Sequence, residues 1–206
     1  MKNKIFCGAY SIFLGKMLET KAETVLTLGM DKKLFHFGES HCLSYAHQSI
    51  ALAGSYFQIE PRITFGAKAF HFSQNRQNSY KAITATNFKS LPSGSKIFLS
   101  YGEIDCRPSE GFISAARKLK KPIEQLVDNT VVGYVRWFFE QNKARHHYLY
   151  FINVPAPVYD KMITTELNSE LVRTIELFNT ALKKHSRQHG FDTIDVHRFT
   201  VGHDGF

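Results

Sequence analysis

The chain has 206 residues, 43% of them hydrophobic and 21% charged, with 26 basic against 18 acidic side chains for a formal net charge of +8 when histidines are neutral. These values exclude disordered, collagenous and disulfide-stapled classes, and a chain of this length buries a full core as a single domain. The basic excess favours anionic partners without naming a chemistry.

Cys7, Cys42 and Cys106 are too few and too irregularly spaced for a secreted disulfide framework or a zinc cage. No apolar run reaches the ~20 residues of a membrane-spanning helix, so no membrane span is expected. Lys2 and Lys4 precede an apolar stretch at residues 5–14 that has the outline of a short signal segment, but Tyr10 and Ser11 dilute it and no small-x-small cleavage site follows. The expectation is a cytoplasmic chain with residues 1–32 as a lead-in and residues 33–206 as one domain.

Residues 33–37 (KLFHF) form an apolar run ending at Gly38, as a strand entering a tight turn does. From Cys42 the spacing turns helical, with Leu43, Ala46, Ile50 and Ala53 on one face and Gly54 as a stop. Residues 56–65 are extended in character, although Pro61 demotes part of them to an edge or a break. Residues 97–101 (IFLSY) are a third strand. Pro122 opens a long helix with an apolar stripe of Ile123, Leu126, Val127, Val131, Tyr134, Val135 and Phe138.

Residues 148–154 (YLYFINV) have the composition of a fully buried strand, ended by Pro155 and Pro157. Leu167, Leu171, Ile175, Phe178 and Leu182 mark another helix, closed by Gly190 at a left-handed cap, and residues 191–196 supply the last strand. Strands alternating with helices predict a three-layer α/β/α sandwich, flavodoxin-like, with a mostly parallel sheet of five strands. In such sheets the site lies at the carboxyl ends of the strands, here the turns after Phe37, Tyr101, Val154 and Val196.

Two of those turns carry reactive side chains. Gly38-Glu39-Ser40-His41 places a hydroxyl after a strand and before a helix start, where neighbouring amides can hold an oxyanion; Ser40 as a plain helix cap is the competing account. Gly102-Glu103-Ile104-Asp105-Cys106-Arg107 crowds carboxylates and a guanidinium into one loop. Asp105 is expected to bind backbone amides and shape that loop, and Gly102 to let a substrate approach the backbone. Arg107 is read either as pairing with Glu103 or Asp105 or as meeting an anionic group on a substrate.

These two turns resemble blocks of the SGNH (GDSL-type) hydrolases, in the variant whose first block ends in histidine. Gly38 to His41 match the nucleophile block, and Gly102 to Asp105 stand where the family has Gly-x-Asn-Asp. The resemblance implies Ser40 as nucleophile, with the amides of Ser40 and Gly66 and the loop at Gly102 as oxyanion donors, and Glu39, His41, Glu103, Asp105 and Arg107 around the substrate. It implies an acyl esterase acting on a small-molecule or carbohydrate ester, O-acetyl groups included, with no cofactor and no metal.

The sequence departs from the family at two places. Ile104 replaces the asparagine of the oxyanion hole, a loss that costs ~100- to 1000-fold in rate. No Asp-x-x-His block follows the last strand. The expectations are therefore that the chain lacks its C-terminal end, or that His203 substitutes as the base. The alternative reading is a degenerate, non-catalytic SGNH domain that binds a glycan or a partner protein.

A two-metal phosphoesterase reading fails on order, since Asp195-Val-His197 comes last instead of first. Nucleic-acid binding is not expected, because the aromatics lie at core-patterned positions while Lys118, Lys120, Lys121, Lys183, Lys184 and Arg187 fall near helix ends or on polar faces.

Overall fold

A computed structural model of the chain describes residues 32–206. The lead-in expected for residues 1–32, with its signal-like stretch at 5–14, lies outside the described residues except for Lys32.

The chain runs β1 (Lys33–Gly38), a 3-10 turn (Ser40–Tyr45), β2 (Ser49–Leu52), β3 (Ser55–Ile63), α1 (Ala69–Ser73), α2 (Ser79–Lys89) and β4 (Lys96–Ser100). It continues through α3 (Glu103–Cys106), α4 (Phe112–Leu119), α5 (Ile123–Asn142), β5 (Tyr148–Ile152), α6 (Thr165–Gln188), β6 (Asp192–Ile194) and α7 (His197–Thr200). The strands make one sheet in the order β2-β3-β1-β4-β5-β6, flanked by helices. Every neighbouring pair is parallel except β2 with β3. β1 thus lies inside the sheet, with Gly38 opposite Ile63 on one side and Ser100 on the other.

Side chains alternate across the sheet as the pleat requires. Phe35, Phe37, Ile97, Leu99, Leu149 and Phe151 join the larger core, to which α5 gives Val131, Tyr134 and Phe138 and α6 gives Ile175 and Phe178. Leu34, Phe57, Ile59, Phe98 and Ile152 form a second buried cluster. Full burial of one such side chain contributes roughly 1.5–3 kcal/mol, so the inner strands are anchored from both faces.

The helix expected from Cys42 is replaced by a 3-10 turn and a hairpin. His47 takes φ 60°, ending the turn, and Ala53 and Gly54 take φ 49° and 73°, the paired left-handed conformations of a two-residue type I′ connection. Cys42, Leu43 and Ala46 are buried from the turn, whereas Ile50 and Leu52 alternate along a strand and pack beside the second cluster. The apolar spacing that looked helical belongs to two different elements, and the hairpin adds a sixth strand.

Pro61 sits inside β3 opposite His36. Gln58 N–H bonds Lys32 and Thr64 N–H bonds Gly38, while the Ile59 N–H points the other way to Gln48. Alternation turns position 61 outward with Ile59, past Gln48 and past the last β2 pairing at Gln58, so proline removes no ladder bond there.

Candidate active site

The turns after β1, β4 and β5 and the segment after β6 meet around one cavity of about 240 Å³. Glu39, His41 and Tyr45 line it from the first, Tyr101 and Glu103 from the second, Asn153, Val154 and Pro155 from the third, and Val196 and Thr200 from the last. Asn153 ties two of these together: its Oδ1 accepts from the amides of Val196 (2.8 Å) and His197 (3.1 Å), and its Nδ2 donates to Asp195 (2.7 Å).

Glu39 is the hub of the first turn. Its side chain is 2% exposed, and its two oxygens are divided between neighbours, Oε2 accepting from the Ser40 hydroxyl at 2.7 Å and Oε1 bonding Nδ1 of His41. Desolvation pushes the Glu39 carboxyl up, but the His41 and Ser40 bonds outweigh it and hold the group below the ordinary carboxylate range. The bond to Glu39 raises His41 above the usual imidazole value. The result is a carboxylate–imidazole pair with a serine hydroxyl on the same carboxylate. Among the described residues no imidazole is hydrogen-bonded to Ser40.

The second turn reaches the first through Glu103. Glu39, His41 and Glu103 bring ligand-type atoms within 4.8 Å of one another, a donor set a hard or borderline cation accepts. Both Glu39 oxygens are already engaged, so a cation there would displace one of those bonds.

Asp105 turns away from the cavity. Its Oδ2 accepts from Ala69 N–H at 2.7 Å and its Oδ1 from Phe70 N–H at 3.0 Å, so it caps α1 from another element. Burial pushes its carboxyl up to about 6, against the pull of those two amides. Arg107 does not pair with Asp105: its Nη2 meets Glu103 Oε2 at 2.8 Å and its Nη1 meets Glu110 Oε1 at 3.2 Å.

Gly102 takes φ +132°, and a Cβ there would lie 2.3 Å from the Phe178 ring. The missing side chain makes room for α6 packing, a structural reason for this glycine beside the substrate approach expected of it. Gly66 lies in the exposed turn after β3 with φ +66°. His203 is exposed beyond α7, and of the candidate residues neither it nor Ser40, Gly66 or Gly102 is among the cavity-lining residues. Cys42 and Cys106 are both buried free thiols, and burial pushes Cys42 up to about 12, well out of the reactive range.

Several cavity residues, Tyr45, Asn153 and Thr200 as well as His36 and Ser100, are not marked as site residues by the sequence. His36 of β1 and Ser100 of β4 are hydrogen-bonded, Nε2 to Oγ, at 2.8 Å and both line the cavity. Their one visible signal is a polar residue near the end of each of two apolar runs, KLFHF and IFLSY, whose pattern is otherwise that of plain strands.

The fold is shared with a secreted lipase. The extracellular lipase of Streptomyces rimosus superposes with a TM-score of 0.57 at 12% identity, over 84% of this chain and 83% of that one. Also similar are phospholipase A1 from Streptomyces albidoflavus NA297 (TM-score 0.46, 12% identity, 79% of this chain and 78% of that one) and an alpha/beta hydrolase enzyme from the metagenome of Lake Arreo, Spain (TM-score 0.48, 10% identity, 83% and 79%). No family model matches the chain and no curated protein matches it in sequence. Among the described residues no helix is long and apolar enough to cross a membrane.

Proposed function

We propose that the chain is an SGNH-type acyl ester hydrolase with Ser40 as its nucleophile. The observation that carries this reading is the first turn itself: at the carboxyl end of an inner strand, Glu39 and His41 line the cavity and are bonded to each other, and the Ser40 hydroxyl, itself not among the lining residues, donates to that same buried carboxylate. Ser40 Oγ attacks the acyl carbonyl as its proton passes to Oε2 of Glu39, the acceptor it already faces, and the Glu39–His41 pair returns a proton to the leaving alcohol. Water then releases the acid from the acyl-serine. Amides of Ser40 and Gly66 are the oxyanion donors assigned by the family resemblance.

His41 is preferred to His203 as the proton carrier. Glu39 on Nδ1 fixes its tautomer and orientation, leaves Nε2 for proton transfer, and raises its pKa above the usual imidazole value, which strengthens it as a base. His203 has no such support in the exposed tail. The cavity has the volume of a small acyl or sugar ester, and an O-acetylated carbohydrate is the substrate class proposed.

One observation favours a second reading. The Ser40 hydroxyl donates to a carboxylate whose pKa is depressed, a weak base, and Ile104 stands where a donor amide is expected. A chain fixed in that state binds a glycan or a partner without turnover. Hydrolysis of p-nitrophenyl acetate separates the two: the hydrolase reading expects Ser40→Ala to lose roughly a thousandfold or more in kcat. Equal rates for the wild-type chain and Ser40→Ala would leave the binding reading.

A further inference from the structure

His36 belongs to the interior of the sheet. It is 1% exposed, between the rings of Tyr45 and Phe98, with centroids 6.0 and 5.9 Å away. Burial lowers its pKa to about 4, against a smaller upward pull from Glu39, so the ring is neutral at physiological pH and carries one proton on one nitrogen. Nδ1 is buried and has no hydrogen-bond partner, whereas Nε2 faces Ser100 Oγ at 2.8 Å. A proton on Nδ1 would be a buried donor with no acceptor, the costliest orphan a core can hold. On Nε2 the same proton has Ser100 Oγ.

That tautomer fixes the direction of the bond. Nε2–H donates to Ser100, whose oxygen is occupied as an acceptor while its own O–H stays free to donate. Among the described residues no protein acceptor takes that proton, and Ser100 is one of the residues that line the cavity. Gly38 opposite makes room for it, since a Cβ at Gly38 would come within 2.4 Å of Ser100 Oγ and 2.9 Å of the Cys42 Cβ. The hydroxyl is thus packed against the backbone of the turn that carries Ser40.

We propose that Ser100, oriented by His36, donates a hydrogen bond from its hydroxyl to the acyl oxygen of the ligand in the cavity. This rests on the hydrolase reading above. As negative charge grows on that oxygen during attack by Ser40, the bond strengthens, so Ser100 acts in the transition state more than in the bound complex. His36 is a positioning residue; it neither accepts nor releases the proton.

The test is steady-state hydrolysis of p-nitrophenyl butyrate by the full chain, with circular dichroism to establish folding. Ser100→Ala is expected to lose about a hundredfold in kcat with little change in KM, and Ser100→Thr, which keeps the hydroxyl, to recover most of it. Ser100→Cys, close in volume and a weak donor, gives the same comparison should the alanine variant not fold. His36→Leu is expected to lower kcat similarly, and the double variant to fall no more than about twofold below Ser100→Ala alone, because the two residues act as one unit. Unchanged kcat in a folded Ser100→Ala, or fully additive losses in the double variant, overturns the proposal and leaves the Ser40 reading standing. A wild-type chain that hydrolyses no ester overturns both.

Discussion

The Ser40 hydroxyl lies 2.7 Å from Oε2 of Glu39, and the other oxygen of that carboxylate holds His41. Sequence neighbours at three successive positions thereby become one hydrogen-bonded unit, because the extended backbone at Glu39 and the 3-10 turn that follows it fold the side chains together. Removing the central charge separates the partners. Glu39→Gln is expected to lower kcat for ester hydrolysis by at least tenfold, since Ser40 then loses its ionised acceptor and His41 its orienting anion.

His41 reports the same unit by its titration. Its pKa in the folded chain lies above 6.5, with Glu39 as the largest cause. The stabilisation it gains is therefore complete below 6.5 and lost as pH rises through the raised value, while that of Glu39, whose pKa is lowered, is lost as acid protonates the carboxylate. NMR titration of the His41 ring should give a midpoint above 6.5 that drops in Glu39→Gln. An identical midpoint in the two proteins would mean the pair does not form.

Asp105 predicts a stability effect without direct participation in chemistry. Asp105→Ala leaves the amides of Ala69 and Phe70 without acceptors, a loss of roughly 2–3 kcal/mol in urea denaturation, and Asp105→Asn, which keeps one acceptor, about half that. Its carboxyl has a folded pKa of about 6 against 3.8 for an ordinary aspartate. The folded state thus binds the extra proton, and stability falls as pH rises from about 4 to about 6. Asp105→Asn should abolish that slope.

Gly102→Ala meets two penalties at once, the φ of +132° and a Cβ 2.3 Å from the Phe178 ring. A loss of about 2–4 kcal/mol is expected from strain and overpacking together. Gly66→Ala has open space at its Cβ and meets only the strain of φ +66°, so it should cost less.

How much of this was legible in the sequence depended on period and on end signals. The long amphipathic helix from Pro122 falls where the pattern puts it, and the strand expected at 148–154 forms over Tyr148–Ile152, with Tyr148 exposed at its start. The hairpin of β2 and β3 does not show in the sequence because Leu43, Ala46, Ile50 and Ala53 mimic a helical face by chance, and because the left-handed Ala53 leaves no mark there. α1 and α3 run only five and four residues, too short to show a period, and α2 is too polar to show a stripe. At the site, the convergence of the strand-end turns follows from topology alone. The bond between His36 and Ser100 does not, since it joins residues 64 apart whose contact exists only once β1 and β4 are paired.

The most direct test of the account is to expose the full chain to a fluorophosphonate and map the adduct by peptide mass spectrometry. An activated Ser40 is predicted to carry the label, and the Ser40→Ala chain to carry none at that peptide. A wild-type chain that stays unmodified, or one labelled equally with and without the Ser40 hydroxyl, would contradict the assignment of Ser40 as nucleophile.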